Sequence, residues 1–222
     1  MAGAVFAAGR SIPSHGKKAK GRRMKQKIKA RDAYLKAFAE VLSRIQQTLK
    51  GSRPDVFPIR MYVAGGAALH LLTGARVSED IDAVFSKRVL LNEEIEISYR
   101  DADGRARLLY LDRNYNDTLG LLHEDAHKDA RPVDIPGIDK TLIDVRVLAP
   151  IDLAVSKLSR FSDQDREDIL LLAREGLVDS ISLRKRAEQA LAGYVGDLNP
   201  VRNSIAIACR LIESAQPRGR SG

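Results

Sequence analysis

Residues 62–86 read YVAGGAALHLLTGARVSEDIDAVFS, and the order of events inside this stretch decides the fold. Residues 59–64, IRMYVA, have the apolar texture of a strand, which ends in Gly65-Gly66. A short helix follows in AALHLLTG, with Gly74 suited to its C-terminal cap. The chain then enters a second strand, SEDIDAVFS, whose Ile81, Val84 and Phe85 are candidates for the core. Glycines at a strand-to-helix junction let backbone approach a ligand closely, and the free amides of a helix start favour phosphate. By itself a Gly-Gly pair more often marks a turn.

Asp80 and Asp82 lie two apart on the second strand, so both carboxylates point to one face, with Cα atoms roughly 6.6 Å apart. Such a pair can converge on divalent ions, and hard oxygen ligands suit Mg²⁺ bridging substrate phosphates. A solvated strand face would also account for Asp-x-Asp. The apolar neighbours argue for a core strand, however, where two crowded acids repel each other unless a cation neutralises them.

Working outward, apolar residues from Ile28 through Phe38 and Leu42 to Leu49 recur at helical spacing, which predicts a helix over residues 24–49 closed by Gly51 and Pro54. Residues 94–99 and 107–112 read as a hairpin turning at 101–104, and residues 141–150 as a strand stopped by Pro150. Beyond Pro150 only helices are expected, over residues 151–160, 166–174 (capped by Gly176), 182–192 and 201–214. The fold class is therefore α/β (α+β), a small mixed sheet with an N-terminal helix and an all-helical C-terminal subdomain. The expected organisation is a basic arm over 1–23, N-terminal helix and core over 24–149, helical subdomain over 150–214 and a loose tail over 215–222. Asp144 sits inside the β-branched run TLIDVRV, where a carboxylate is costly unless paired. It either completes a three-acid set, as metal ligand or as base for an attacking hydroxyl, or forms a salt bridge with Arg146 or Arg113.

Residues 62–86 resemble the signature of the DNA polymerase β-like nucleotidyltransferase superfamily: two small residues, a short helix, then Asp-x-Asp on the next strand. Downstream, APIDLAVSKLSRFSDQDREDILLLA resembles the helical motif of its AbiEii-type toxin and abortive-infection branch, with a Lys on one helix and Arg-Asp-x-x-Asp on the next. The resemblance puts Lys157 at the lysine and Asp165 and Asp168 at the acids; Gln164 stands where an Arg is usual, with Arg166 close by. It implies a nucleotidyltransferase core and transfer of a nucleoside monophosphate from an NTP, with Mg²⁺ or Mn²⁺ at Asp80 and Asp82, for which Asp144 is the candidate third ligand. Gly65 and Gly66 would seat the triphosphate, Lys157 would contact it, and Arg76 is a further phosphate-binding candidate. Asp165 and Asp168 are read either as nucleotide-binding or as salt-bridge partners of Arg160 and Arg166. Relatives in this branch modify tRNA ends and others nucleotidylate protein partners, so a tRNA or a protein acceptor, within a toxin–antitoxin or phage-defence setting, is implied. An Asp144 remote from Asp80 and Asp82 would instead favour a silent nucleotide- or RNA-binding module.

Charge bears on the acceptor. The 222 residues carry a formal net charge of +8, yet residues 1–31 hold ten of the 37 Lys and Arg and no acid. From Asp32 onward 27 basic residues face 29 acids, a net of −2. The arm either attracts nucleic-acid phosphates or is a solubilising tail or a leader ahead of a start at Met24. It does not read as a secretory signal or a transit peptide. No run reaches the length of a membrane span, and one cysteine, Cys209 in SIAIACRLI, closes no internal disulfide. A cytoplasmic protein without a membrane partner is expected, with Cys209 as a small buried hydrophobe. HEDAH, residues 123–127, matches H-E-x-x-H of zinc peptidases. Gly120, Pro132 and the polar surroundings leave little room for the helix such a site requires, so a solvated loop or short helix is expected. His70 is expected to be a core or capping histidine.

Overall fold

The computed structural model describes residues 26–50, 54–91, 93–115 and 120–215. The basic arm and most of the C-terminal tail therefore lie outside the described residues, as does Gly51. Within the described residues seven α-helices and six strands follow one another: α1 (Asp32–Leu49), β1 (Ile59–Val63), α2 (Gly65–Thr73), β2 (Asp80–Phe85), β3 (Glu96–Arg100), β4 (Ala106–Asp112), α3 (Ala126–Asp129), β5 (Arg131–Pro132), β6 (Ile143–Val147), α4 (Pro150–Ser156), α5 (Asp163–Arg174), α6 (Ser180–Ala190) and α7 (Leu198–Ala215). The strands form one mixed sheet in the order β3-β4-β2-β1-β6-β5. β1 is antiparallel to β2 and parallel to β6, while β2 is parallel to β4.

Period-two alternation sorts the strand residues onto two faces. Ile59, Met61 and Val63 of β1, Ile81 and Ala83 of β2, Leu109 and Leu111 of β4, and Ile143, Val145 and Val147 of β6 are buried. α1 closes part of this face, its stripe of Tyr34, Phe38, Val41, Leu42 and Ile45 packing over β3 and β4. The opposite face carries Asp80, Asp82 and Val84 on β2, in register with Tyr110 and Asp112 on β4 and with Tyr62 on β1.

The two largest boundary departures from the sequence reading are the start of α1 and the end of α4. Residues 26–31 are not helical, because their backbone donors are taken by distant acceptors: Gln26 N–H by Pro132 O (3.1 Å), Lys29 N–H by Leu71 O (2.9 Å) and Arg31 N–H by His70 Nε2 (3.3 Å). α4 stops at Ser156, before the expected Arg160, with Lys157 as its C-cap. Pro150 opens α4 at its first turn, where the missing N–H costs nothing. Ser162 and Asp165 form a capping box at the start of α5, and Gly176 follows its end with φ +67°. Among the described residues no helix is long and apolar enough to cross a membrane.

Candidate active site

The site begins where β1 gives way to α2. Ala64, in extended conformation, is the N-cap of α2, and its N–H donates to the Asp82 carbonyl at 2.8 Å, fastening the turn to β2. Gly65 takes φ +55°, and a Cβ built there would lie 1.7 Å from Asp82 Oδ2. At Gly66 an added Cβ would be 2.4 Å from Ser78 Oγ. Both glycines are thus demanded by close approach, the first also by its backbone, and the Asp82 carboxylate lies directly against the start of a nine-residue helix.

Asp80 accepts a hydrogen bond from the Ser78 hydroxyl. Among the described residues no cationic side chain comes within salt-bridge distance of Asp80 or Asp82. Burial, reinforced by the negative charges of Asp80 and Asp112, raises the Asp82 carboxyl to about 6. Asp112 is in direct parallel register with Asp82, so the two Cα atoms sit about one strand spacing, roughly 4.8 Å, apart on the same face. Its Oδ1 accepts from Asn114 N–H at 2.8 Å.

Asp144 does not join this group. It pairs with Arg60 on β1, four residues before Ala64, and four strand residues span roughly 13 Å. Its Oδ2 accepts from Arg146 Nε at 2.8 Å, with Arg60 Nε at 3.9 Å. The salt-bridge alternative holds, and the third carboxylate beside the pair is Asp112. Asp112 had a signal in the sequence: it closes the alternation Leu108, Tyr110, Asp112 on a strand. What one chain does not announce is that this strand runs parallel to β2 rather than pairing elsewhere.

Opposite the acids stands a buried ionic cluster from the α4–α5 region. Lys157, only 7% exposed, places Nζ 2.6 Å from Asp168 Oδ2 and 3.7 Å from Asp165 Oδ1. Arg160 grips Asp165 through two hydrogen bonds of 2.8 Å, and Arg76 grips Asp168 through bonds of 3.3 and 3.0 Å. Burial alone would raise the Asp165 carboxyl, but hydrogen bonds from Arg160 and Ser162 outweigh it and hold it at about 2. Asp165 and Asp168 are both buried, at 1% and 2% exposure, and hold these cations in place, and Asp165 also lines the cleft between the two groups. Gln164 donates to Asp168 Oδ1 at 3.2 Å, so the expected arginine is replaced by an amide, with Arg76 supplying the guanidinium. Arg166 turns away to Asp163 (2.7 Å) and to the Phe161 ring.

Between the two groups lies a cleft of about 190 Å³, lined by Gly65, Asp82, Tyr115, Leu121, Lys157 and Arg160 among others. Lys157, Arg160 and Arg76 exceed their two carboxylate partners by one positive charge, facing three acids. The arrangement can take a group that is negative toward α2 and Lys157 and carries a cation toward Asp80 and Asp82. Magnesium fits this donor set. No described group of three His, Cys, Asp or Glu side chains forms a ready-made cage, but Mg²⁺ commonly uses one or two carboxylates together with substrate phosphates.

The other candidates fall outside the cleft. His70 is fully buried: Nδ1 faces Ala75 O at 3.1 Å, Nε2 accepts from Arg31, and burial lowers its pKa. HEDAH does not lie on one helix. α3 begins only at Ala126, His123 Nδ1 accepts from Asp125 N–H (3.1 Å), and His127 stacks on Tyr62 with centroids 4.5 Å apart. Cys209 is buried, its thiol 3.4 Å from Ser180 O.

The family model described as a nucleotidyltransferase of unknown function (DUF6036) matches residues 36–193, and the chain belongs to that family. No curated protein and no solved structure matches the chain.

Proposed function

We propose that the protein is a metal-dependent nucleotidyltransferase that moves a nucleoside monophosphate from an NTP to a hydroxyl of RNA, with a tRNA end as the acceptor. The observation that carries this reading is the register of Asp82 with Asp112 beside Asp80 and Gly65, three carboxylates gathered on one face of the sheet. Asp80, Asp82 and Asp112 would hold Mg²⁺ or Mn²⁺, which when bound neutralises charge on the reacting phosphates. The start of α2 at Gly65 and Gly66 accommodates the triphosphate tail through backbone amides and dipole. Lys157 and Arg160, held by Asp165 and Asp168, lend positive charge on the opposite wall. Asp112, next to Asp82 and, among the described residues, hydrogen-bonded through one oxygen to Asn114 N–H, would take the proton of the attacking hydroxyl.

The likeness of residues 149–173 to the AbiEii-type branch supports an intracellular toxin–antitoxin or phage-defence role with a cognate partner. Asp144 is remote from Asp80 and Asp82, the arrangement that favours a silent module, whereas Asp112 in register with Asp82 supports the catalytic reading by offering another third carboxylate. The test incubates purified protein with each labelled NTP, Mg²⁺ and either total tRNA or candidate protein partners, beside Asp80→Ala, Asp82→Ala and Asp112→Ala. Label on RNA that all three substitutions abolish is the expected outcome. Label on protein reassigns the acceptor, and transfer that survives the substitutions overturns the site.

A further inference from the structure

A transferase needs two sites that meet at its reacting groups, and the nucleotide cleft supplies one of them. A larger cavity, of about 660 Å³, runs along β2 beyond Asp82 and is lined by the segment after β2 and the segment that ends β4. The two cavities share Tyr115; Asp82 lines the first and Asp112 the second. The second cavity is more than three times the size of the first, ample for an extended chain end where the first suits a phosphate tail.

Its walls identify the occupant. Lys87, Arg88 and Arg113 contribute three exposed cations, whereas Asp112 is the only acid along it among the described residues. Among those residues neither Arg88 nor Arg113 has an acidic partner, and Lys87 is engaged only through the Asp55 carbonyl at 3.4 Å. Phe85 and Leu90 line the same groove, and Leu90 is 66% exposed, an apolar side chain left on the surface beside these cations. Cations tracking a backbone, with apolar and aromatic surface between them, match single-stranded nucleic acid, whose phosphates and bases alternate in the same way. An acidic peptide would satisfy the cations but brings no bases to cover the exposed Leu90 beside them.

Building on the proposed transferase reading, we infer that the groove of Lys87, Arg88, Arg113, Phe85 and Leu90 is the acceptor site and holds the 3′ end of a single-stranded RNA. The strand lies along β2 with its terminal hydroxyl at Asp112, across Tyr115 from the triphosphate. The hydroxyl oxygen forms a bond to the α-phosphorus as the bond from that phosphorus to the β-phosphate bridging oxygen breaks. Pyrophosphate leaves with that electron pair, and the hydroxyl proton passes to the Asp112 carboxylate.

The test measures binding of a short single-stranded RNA with a free 3′-hydroxyl across a salt series, for wild type and for Lys87→Glu/Arg88→Glu/Arg113→Glu. The reversed protein is expected to bind at least about tenfold more weakly, with a salt slope flatter by about two, near 0.7 for each phosphate that is no longer neutralised. Its binding of labelled NTP with Mg²⁺, read by equilibrium dialysis, stays near wild type. A photoreactive base at the RNA 3′ end crosslinks within residues 83–91 or 111–115 of wild type. Unchanged RNA affinity and slope in the reversed protein, with NTP still bound, overturns the groove alone. Crosslinks confined to other segments do the same. Absence of NTP binding in wild type overturns the transferase reading first, and the groove with it.

Discussion

Gly65 has the least freedom of any residue in the site. Its φ of +55° is left-handed, and its Cα faces the Asp82 carboxylate so closely that a methyl group would overlap Oδ2. Gly65→Ala should cost at least about 2 kcal/mol in stability, from the backbone and the collision together. It should also lower transfer by about a hundredfold or more by displacing Asp82, read in steady-state assays beside a denaturation curve. Asp82 makes the opposite point, as a residue whose ionisation works against folding. Its carboxyl titrates near 6 in the folded protein against an ordinary 3.8, so the folded state binds the proton more tightly. Stability tied to this group is therefore full below about pH 4, falls as pH rises toward 6, and stays low above it. Asp82→Asn should remove that loss and leave the metal-free protein more stable at pH 7 by on the order of 1–2 kcal/mol, with no such gain at pH 4. In wild type the thermal shift given by Mg²⁺ should grow from pH 5 to pH 7, as the carboxylate becomes available to the ion. A gain in stability that is equal at both pH values would show that the strain comes from shape and not from charge.

Two short elements carry the cationic wall, and they do so through buried acids. α4 ends at Lys157, and the first turns of α5 present Asp165 and Asp168 back toward it. Removing one member strands another: Asp168→Ala leaves Lys157 buried without its 2.6 Å partner and should cost about 3–5 kcal/mol in urea denaturation. Replacing both, Lys157→Met with Asp168→Leu, should recover most of that stability while transfer stays absent. Recovery of transfer in the double variant would make the cluster structural only. This wall was partly legible in the sequence. The Lys and the two acids stood out as a pattern, but whether the acids faced a ligand or the lysine depended on burial, which spacing does not report. Local signals were the readable ones: Gly74 caps α2 with φ +71°, and the 101–104 turn joins β3 to β4 as expected. Residues 26–31 carried a helical pattern but gave their donors to Pro132, Leu71 and His70, acceptors far along the chain.

Across the molecule, the sheet order brings the chemistry together. β1 lies between β2 and β6, so acids on those two strands are separated both across the sheet and along it, and Asp144 ends beside Arg60 and Arg146. β4 lies against β2 in parallel, so Asp112 ends beside Asp82. The sequence points to Asp144, an acid inside a β-branched run, rather than to Asp112 at the end of a strand. Choosing between them requires strand order, a long-range property that no local periodicity encodes. The same order leaves Lys87, Arg88 and Arg113 on one groove although Arg113 is 25 positions from Arg88. The most direct measurement is therefore calorimetric titration of a non-hydrolysable NTP, with and without Mg²⁺, into wild type, Asp82→Asn, Asp112→Asn and Asp144→Asn. Metal-dependent affinity should fall at least about tenfold in the Asp82 and Asp112 variants and remain at the wild-type value in the Asp144 variant. An Asp144 variant as weak as the Asp82 variant, or an Asp112 variant indistinguishable from wild type, would show that the nucleotide site has been built on the wrong strand.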